Sequence, residues 1–284
     1  MKKKNVIQFL GFFILRACVY LVLAVLLLFL YDIGKKGGGT ISWEFLTEPP
    51  RRGMTEGGIF PAIMGTFIVT IVTAVLAVPL GMFAAIYLNE YARQTRLTRL
   101  VRLSIRNLSG VPSIVYGLFG VILFVNVLRF GTSILSAGLT LGLLTLPWTI
   151  TASEEALKTI PNSYREGALA LGATKWQAIR TMVLPYAVPG MLTGTVLGLA
   201  RAAGETAPIM FTGAAFYLPY LPKSLSDQFM ALPYHLYIMA TQHHAITQVR
   251  PLAYATALVL IVLVLGMNMA TIVIRSRLRR KRRW

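Results

Sequence analysis

Long apolar runs alternate along this chain with polar stretches of very different character. Six runs satisfy the ~20 apolar residues a helix needs to cross a bilayer: residues 11–31, 62–89, 109–128, 133–152, 188–212 and 252–274. They predict an all-α polytopic membrane protein with six transmembrane helices. The first run follows three lysines and resembles the start of a removable leader. It is longer than the ~7–15 residue apolar core of a signal peptide, however, and Asp32-Ile33-Gly34-Lys35-Lys36 is a poor cleavage site. It is read as a retained span.

Among the polar stretches, the one from Ser153 to Pro185 has a pattern of its own. Glu154, Glu155 and Lys158 fall at helical spacing, and Pro161-Asn162-Ser163 gives a stop followed by a start. Ser163 with Glu166 three residues on is a capping-box pattern. Ala168, Leu169 and Leu171 supply a short apolar face, Gly172 ends that helix, and a second short helix from Lys175 to Val183 leads to Leu184-Pro185. A helix–Gly–helix plug between two spans offers a surface that can dock into a partner. The alternative is an amphipathic loop lying on lipid headgroups.

Charge fixes an orientation. The N-terminus, the 91–106 loop (Arg93, Arg96, Arg99, Arg102, Arg106), the 153–185 stretch and the tail together hold nineteen Lys and Arg, against seven in the other loops. Basic residues accumulate on the cytoplasmic side, so both termini and the 153–185 stretch are expected there. The tail, Arg275 to Trp284, reads as an anchor against anionic lipid. Hydrophobic residues make up 56% and charged residues 13% of the chain despite a net charge of +18. A soluble domain has about 25% charged residues, and the bases stand in blocks between apolar runs. A nucleic-acid-binding domain is therefore excluded.

The external 213–250 loop carries Phe216, Tyr217, Tyr220, Phe229, Tyr234 and Tyr237, suited either to the membrane interface or to contact with an external protein. His243-His244 has no carboxylate or Cys at ligand spacing and is expected to be solvated. Cys18 stands alone, so there is no intramolecular disulfide and no Cys-based metal site.

The fifth run contains both Arg201 and Glu205. At ~1.5 Å per residue Arg201 lies ~18 Å beyond Pro189, near the bilayer midplane, where an Arg costs at least ~2.5–3.5 kcal/mol. Arg201 and Glu205 are four apart and can pair on one helix face. Gly194 and Gly198 lie on the same side, and Gly190, Gly194, Gly198 and Ala202 form a small-residue ladder where a helix approaches or a passage opens. One reading is a structural ion pair locking two helices. The other is an anion site, because a guanidinium fork stays charged and matches a tetrahedral oxyanion, while Glu205 keeps binding transient.

Three stretches carry a resemblance. Glu166-Gly167-Ala168, three residues, Gly172, nine residues, Met182, one residue and Leu184-Pro185 resembles the cytoplasmic coupling motif of bacterial ABC-importer permeases, with Gly167 and Met182 where that pattern has Ala and Ile. There the segment fits a cleft on the ATPase subunit, which implies ATPase-coupling roles for Arg165, Glu166, Gly167, Ala168, Gly172, Leu184 and Pro185. The stretch from Gly198 to Pro208 resembles the fifth-span signature of phosphate-importer permeases, and its Glu-Thr-Ala-Pro form favours the A-type subunit over its C-type sister. Gly110 to Gly117 resembles the start of their third span.

The resemblance implies the type I ABC-importer permease (MetI-like) fold in a bacterial inner membrane. Residues 1–60 would form an N-terminal helix with an external loop, and 61–284 the permease core. The implied partners are a C-type sister permease, two ATP-binding subunits and an external phosphate-binding protein, with inorganic phosphate passing by Arg201, Glu205, Gly194 and Gly198. No cofactor is expected on this chain, since no GxxxxGK[ST] loop occurs and ATP would be bound by the partner. A sulfate or molybdate permease and a stand-alone secondary transporter are the rival readings. The second would show related halves or matching broken helices, and no internal repeat is visible.

Overall fold

The computed structural model describes residues 2–280, so the end of the basic tail, Lys281 to Trp284, lies outside the described residues. The chain starts with α1 (Lys2–Gly38), an exposed apolar helix packed on the last helix. The short α2 (Trp43–Thr47) is capped by Ser42, whose hydroxyl accepts the Phe45 N–H at 3.1 Å. A two-residue hairpin, β1 (Pro50–Arg51) and β2 (Glu56–Gly57), pairs antiparallel with Pro50 opposite Gly57.

The bundle is built on α3 (Phe60–Ile86) and α6 (Ile134–Lys158). The buried face of α3 is small or threonine-rich, with Ala62, Gly65, Thr66, Val69, Thr70, Thr73, Ala77, Gly81 and Ala85, so α6 can approach closely. The threonine hydroxyls donate back into their own helices, Thr66 to Ala62 O at 2.8 Å and Thr70 to Thr66 O at 2.7 Å. Polar side chains are thereby satisfied inside an apolar bundle. At its C-terminal end α3 widens into a π-helical turn, Tyr87–Tyr91.

The basic 91–106 stretch is not an open loop. It forms α4 (Arg96–Leu108), an amphipathic helix with no buried residue, capped by Thr95. Next comes α5 (Ser113–Gly120), extended by a π-helical stretch to Val127 and bent 103° from α4. Pro112 supplies the break, its fixed φ placing it before the helix. Only Ser113–Val127 of the expected 109–128 span is therefore helical. Five helices are long and apolar enough to cross a membrane, and the bent pair makes a sixth candidate among the described residues.

After α6 come α7 (Asn162–Ala170) and α8 (Lys175–Ala178), then a π-helical turn Ile179–Val183, α9 (Leu184–Gly204) and α10 (Ala207–Thr212). Two expectations are corrected here. The second plug helix does not stop at Val183 but runs on into the fifth span, making one helical path from Lys175 to Gly204. The fifth span, expected whole over 188–212, is broken after Gly204, with Glu205 extended at φ −71°, ψ 134°. The cause is Pro208, which has no N–H and whose ring would meet the Gly204 carbonyl in a continuous helix.

The 213–250 segment folds back onto the bundle. Phe229, Met230, Ala231 and Leu232 are buried, the Leu232 N–H donates to Thr66 Oγ1 at 2.8 Å, and α11 (Leu232–Thr241) packs on α3 and on α12 (Ile246–Arg280). Of the aromatic residues expected at an interface, Phe229 is fully buried, whereas Tyr220 and Phe216 are exposed. His243, expected in solvent, is also buried. Its Nε2 lies 2.7 Å from Gly53 O and its Nδ1 accepts the Ala245 N–H, tying this segment to the 32–60 stretch.

Candidate functional site: an ion pair at a broken span and a helical plug

Arg201 sits in the last turn of α9 and Glu205 at the break that follows. Their Nε and Oε1 are 3.3 Å apart, and the side chains are 48% and 14% exposed. The guanidinium carbon also lies 5.5 Å from the centroid of the Trp148 ring, near the middle of α6. Arg201 is thus not sealed between helices. Its inner face has an indole and a carboxylate, and its outer face is open to whatever adjoins this side of the protomer. Non-helical backbone within a span persists only where protein or an aqueous cavity surrounds it, so the break marks this as a special level of the chain.

Gly190, Gly194 and Gly198 point at α6. A Cβ on Gly194 would collide with the Ala152 methyl, one on Gly190 would lie 2.9 Å from Ala156 Cβ, and one on Gly198 3.8 Å from Trp148 Cβ. The ladder is a helix–helix contact, and it brings α9 close enough for Arg201 to reach Trp148. The third-span and fifth-span motifs also meet. A Cβ on Gly117 of α5 would stand 3.0 Å from Pro208 Cα and 3.2 Å from Ala207 O, so the third-span start receives the segment just beyond Glu205.

The plug is held by buried ion pairs that sequence reasoning missed. Arg165 on α7 places Nη2 2.7 Å from Glu90 Oε1 and Nε 3.1 Å from Glu90 Oε2. The same guanidinium donates from Nη1 to Ile160 O at 2.8 Å and from Nη2 to Leu157 O at 3.2 Å, satisfying carbonyls where α6 ends. On α4, Arg102 Nε lies 2.8 Å from Glu154 Oε1, which Lys158 also approaches at 3.4 Å. The available signal was five arginines between residues 91 and 106 with no acid among them, next to Glu90.

Ser163 and Glu166 do not form the expected capping box. Pro161 takes the N-cap position, the helix begins at Asn162, and Ser163 falls inside the first turn. A capping box does form at Thr174, which accepts the Gln177 N–H at 3.3 Å while its own N–H donates to Gln177 Oε1 at 2.8 Å. Gly172 has φ +83°, a left-handed value that suits glycine at the end of α7. Ala168 is buried, Gly167 has open space beside it, and Leu171 is 88% exposed with Leu169 and Trp176 about half exposed nearby. Leu184 and Pro185 begin α9.

Residues 77–283 match the family described as binding-protein-dependent transport system inner membrane component. The chain belongs to that family. The matched range takes in the plug, α9 with Arg201 and the break at Glu205. Among relatives of this transport family, the phosphate transport system permease protein PstA 1 of Mycobacterium tuberculosis is 38% identical over 229 residues, 80% of this chain and 72% of that protein. The phosphate transport system permease protein PstA of Yersinia pestis is 34% identical over 248 residues, 86% of this chain and 82% of that one. A chain of the bacterial alginate ABC transporter, solved with an alginate-bound periplasmic protein, superposes with a TM-score of 0.65 at 16% identity, covering 91% of this chain and 92% of that chain. The chain therefore has the mostly helical, multi-pass fold of an ABC-importer permease.

Proposed function

We propose that this chain is the A-type permease subunit of an ATP-driven importer that carries inorganic phosphate across a bacterial inner membrane. The observation that carries the reading is the half-open Arg201 fork beside Glu205 at a break in the fifth span. The relatives named as phosphate permeases over most of the chain support it. A guanidinium presents parallel N–H groups to two oxygens of a tetrahedral anion. Glu205 competes for the same fork, so phosphate would displace the carboxylate on arrival and be displaced by it on leaving. Trp148 holds the guanidinium during that exchange.

The plug would dock on an ATP-binding subunit through the exposed Leu171, Leu169 and Trp176, with Glu166, Gly167 and Ala168 setting its shape. On this reading both termini and the plug lie in the cytoplasm. The folded 213–250 segment then faces outward, towards a phosphate-binding protein, and a C-type sister permease completes the passage beside Arg201. The test is ATP-dependent uptake of labelled phosphate by the complete complex in proteoliposomes, with sulfate and molybdate as competitors. Uptake of phosphate that excess sulfate leaves untouched supports the reading. Preferential uptake of sulfate or molybdate would sink it.

A further inference from the structure

We infer that Glu90 and Arg102 are positioning residues that pass movement of the cytoplasmic plug into the second span through the π-helical turn Tyr87–Tyr91. This rests on the reading above, in which an ATP-driven partner moves the plug. α7 packs on α8 and on the wide turn that follows it, and a direct polar tie from α7 to the second span runs from Arg165 to Glu90. That tie is rigid. The fork meets both carboxylate oxygens, at 2.7 and 3.1 Å, and the side chains are only 18% and 5% exposed. Asn89 donates to the same carboxylate, its Nδ2 2.8 Å from Oε1.

A second guanidinium grips the same turn. Arg102 Nη2 donates to the Leu88 carbonyl at 2.7 Å, while its Nε lies 2.8 Å from Glu154 on α6. The π-helical turn is thus clasped by α7 through Glu90 and by α4 and α6 through Leu88. A π-helical turn carries one residue more per turn than the helix around it, and such turns gather at functional positions because they can shift register. A desolvated, bidentate pair transmits displacement with little play, whereas an exposed pair would be screened and would swing. Movement of α7 therefore arrives at a point of α3 that can re-form, and α3 packs along α6, the helix that carries Trp148 beneath Arg201.

The measurement is phosphate taken up per ATP hydrolysed by the complete complex in proteoliposomes. Glu90→Gln keeps the shape and removes the charge, and Arg102→Lys keeps the charge and removes the grip on Leu88. Each is expected to leave ATP hydrolysis within about twofold of wild type while uptake per ATP falls at least tenfold. The exchange Glu90→Arg with Arg165→Glu should recover part of the ratio. An unchanged ratio in both single variants overturns the relay, as does a fall of hydrolysis and uptake by the same factor, which would mark a purely structural role. Absence of ATP-driven uptake in the wild-type complex would instead remove the functional reading on which the relay rests.

Discussion

Arg201 is held from two sides, by the Trp148 ring 5.5 Å from its guanidinium carbon and by Glu205 Oε1 3.3 Å from its Nε. The cation is kept in place without being used up, since a cation–π contact leaves the N–H edge of the fork free. A cation–π contact contributes about 0.5–2 kcal/mol, which corresponds to a few-fold to about thirtyfold in occupancy of that pose. Trp148→Leu should accordingly lower phosphate uptake several-fold. Arg201→Lys, which keeps the charge but loses the planar fork, should lower it by more than tenfold. Both are read as initial uptake rates at equal amounts of assembled complex. Wild-type rates in Arg201→Lys would show that the fork has no part in transport.

The close crossing of α6 and α9 gives a stability prediction. Gly194 lies against the Ala152 methyl, and Gly190 against Ala156. Gly194→Ala adds a methyl where one already stands, and overpacking of this kind costs about 1–3 kcal/mol. The detergent-solubilised protein should melt several degrees lower. Ala152→Gly in the same chain removes the obstructing group and should return most of the loss. A double variant no more stable than Gly194→Ala would place the collision elsewhere.

What the sequence disclosed and what it hid divide along physical lines. Apolar length disclosed the spans, and spacing disclosed the motifs, including those of the third and fifth spans, since each depends on near neighbours. That the motifs touch, with Gly117 over Pro208, required the fold. Glu90 and Glu154 stayed hidden because their partners stand 75 and 52 positions away, beyond any local pattern. The capping box fell at Thr174 instead of Ser163 because Pro161, with its fixed φ, claimed the start of α7. His243 read as solvated because nothing near it in sequence announces the Gly53 carbonyl it meets. The broken fifth span was legible in principle, as Gly204 and Pro208 are four apart, but high hydropathy over the whole run masked it.

The 213–250 segment should respond to acid. Burial on α11, followed by the neighbouring His243, lowers the pKa of His235 from 6.5 to about 4. The fold thus favours the neutral ring. Above pH 6.5 both folded and unfolded chains are neutral here, so no penalty arises. As pH falls from 6.5 towards 4 the unfolded chain takes up a proton that the folded one refuses, and stability is lost. The full gap is worth about 3 kcal/mol. Melting temperature in detergent should fall over that window and level off below it, and His235→Phe should flatten the curve. A wild-type curve already flat between pH 7 and 4 would show that the ring is not held neutral.

The plug offers a way to separate docking from folding. Leu171 is 88% exposed at the end of α7, so the isolated chain gains almost nothing from it, and Leu169 and Trp176 are also about half exposed. If a partner covers Leu171, its burial contributes about 1.5–3 kcal/mol to the contact, a ten- to hundredfold effect on affinity. Leu171→Asp should therefore release the ATP-binding subunits during purification while the melting temperature of the chain itself stays put. Thr174→Ala is the contrasting variant, because it removes the capping box and costs about 1 kcal/mol of local helix stability without touching the apolar surface. It should lower the melting temperature slightly and leave the partner bound. The opposite pattern, with Leu171→Asp still holding its partner and Thr174→Ala losing it, would move the docking surface from the tip of α7 to the start of α8.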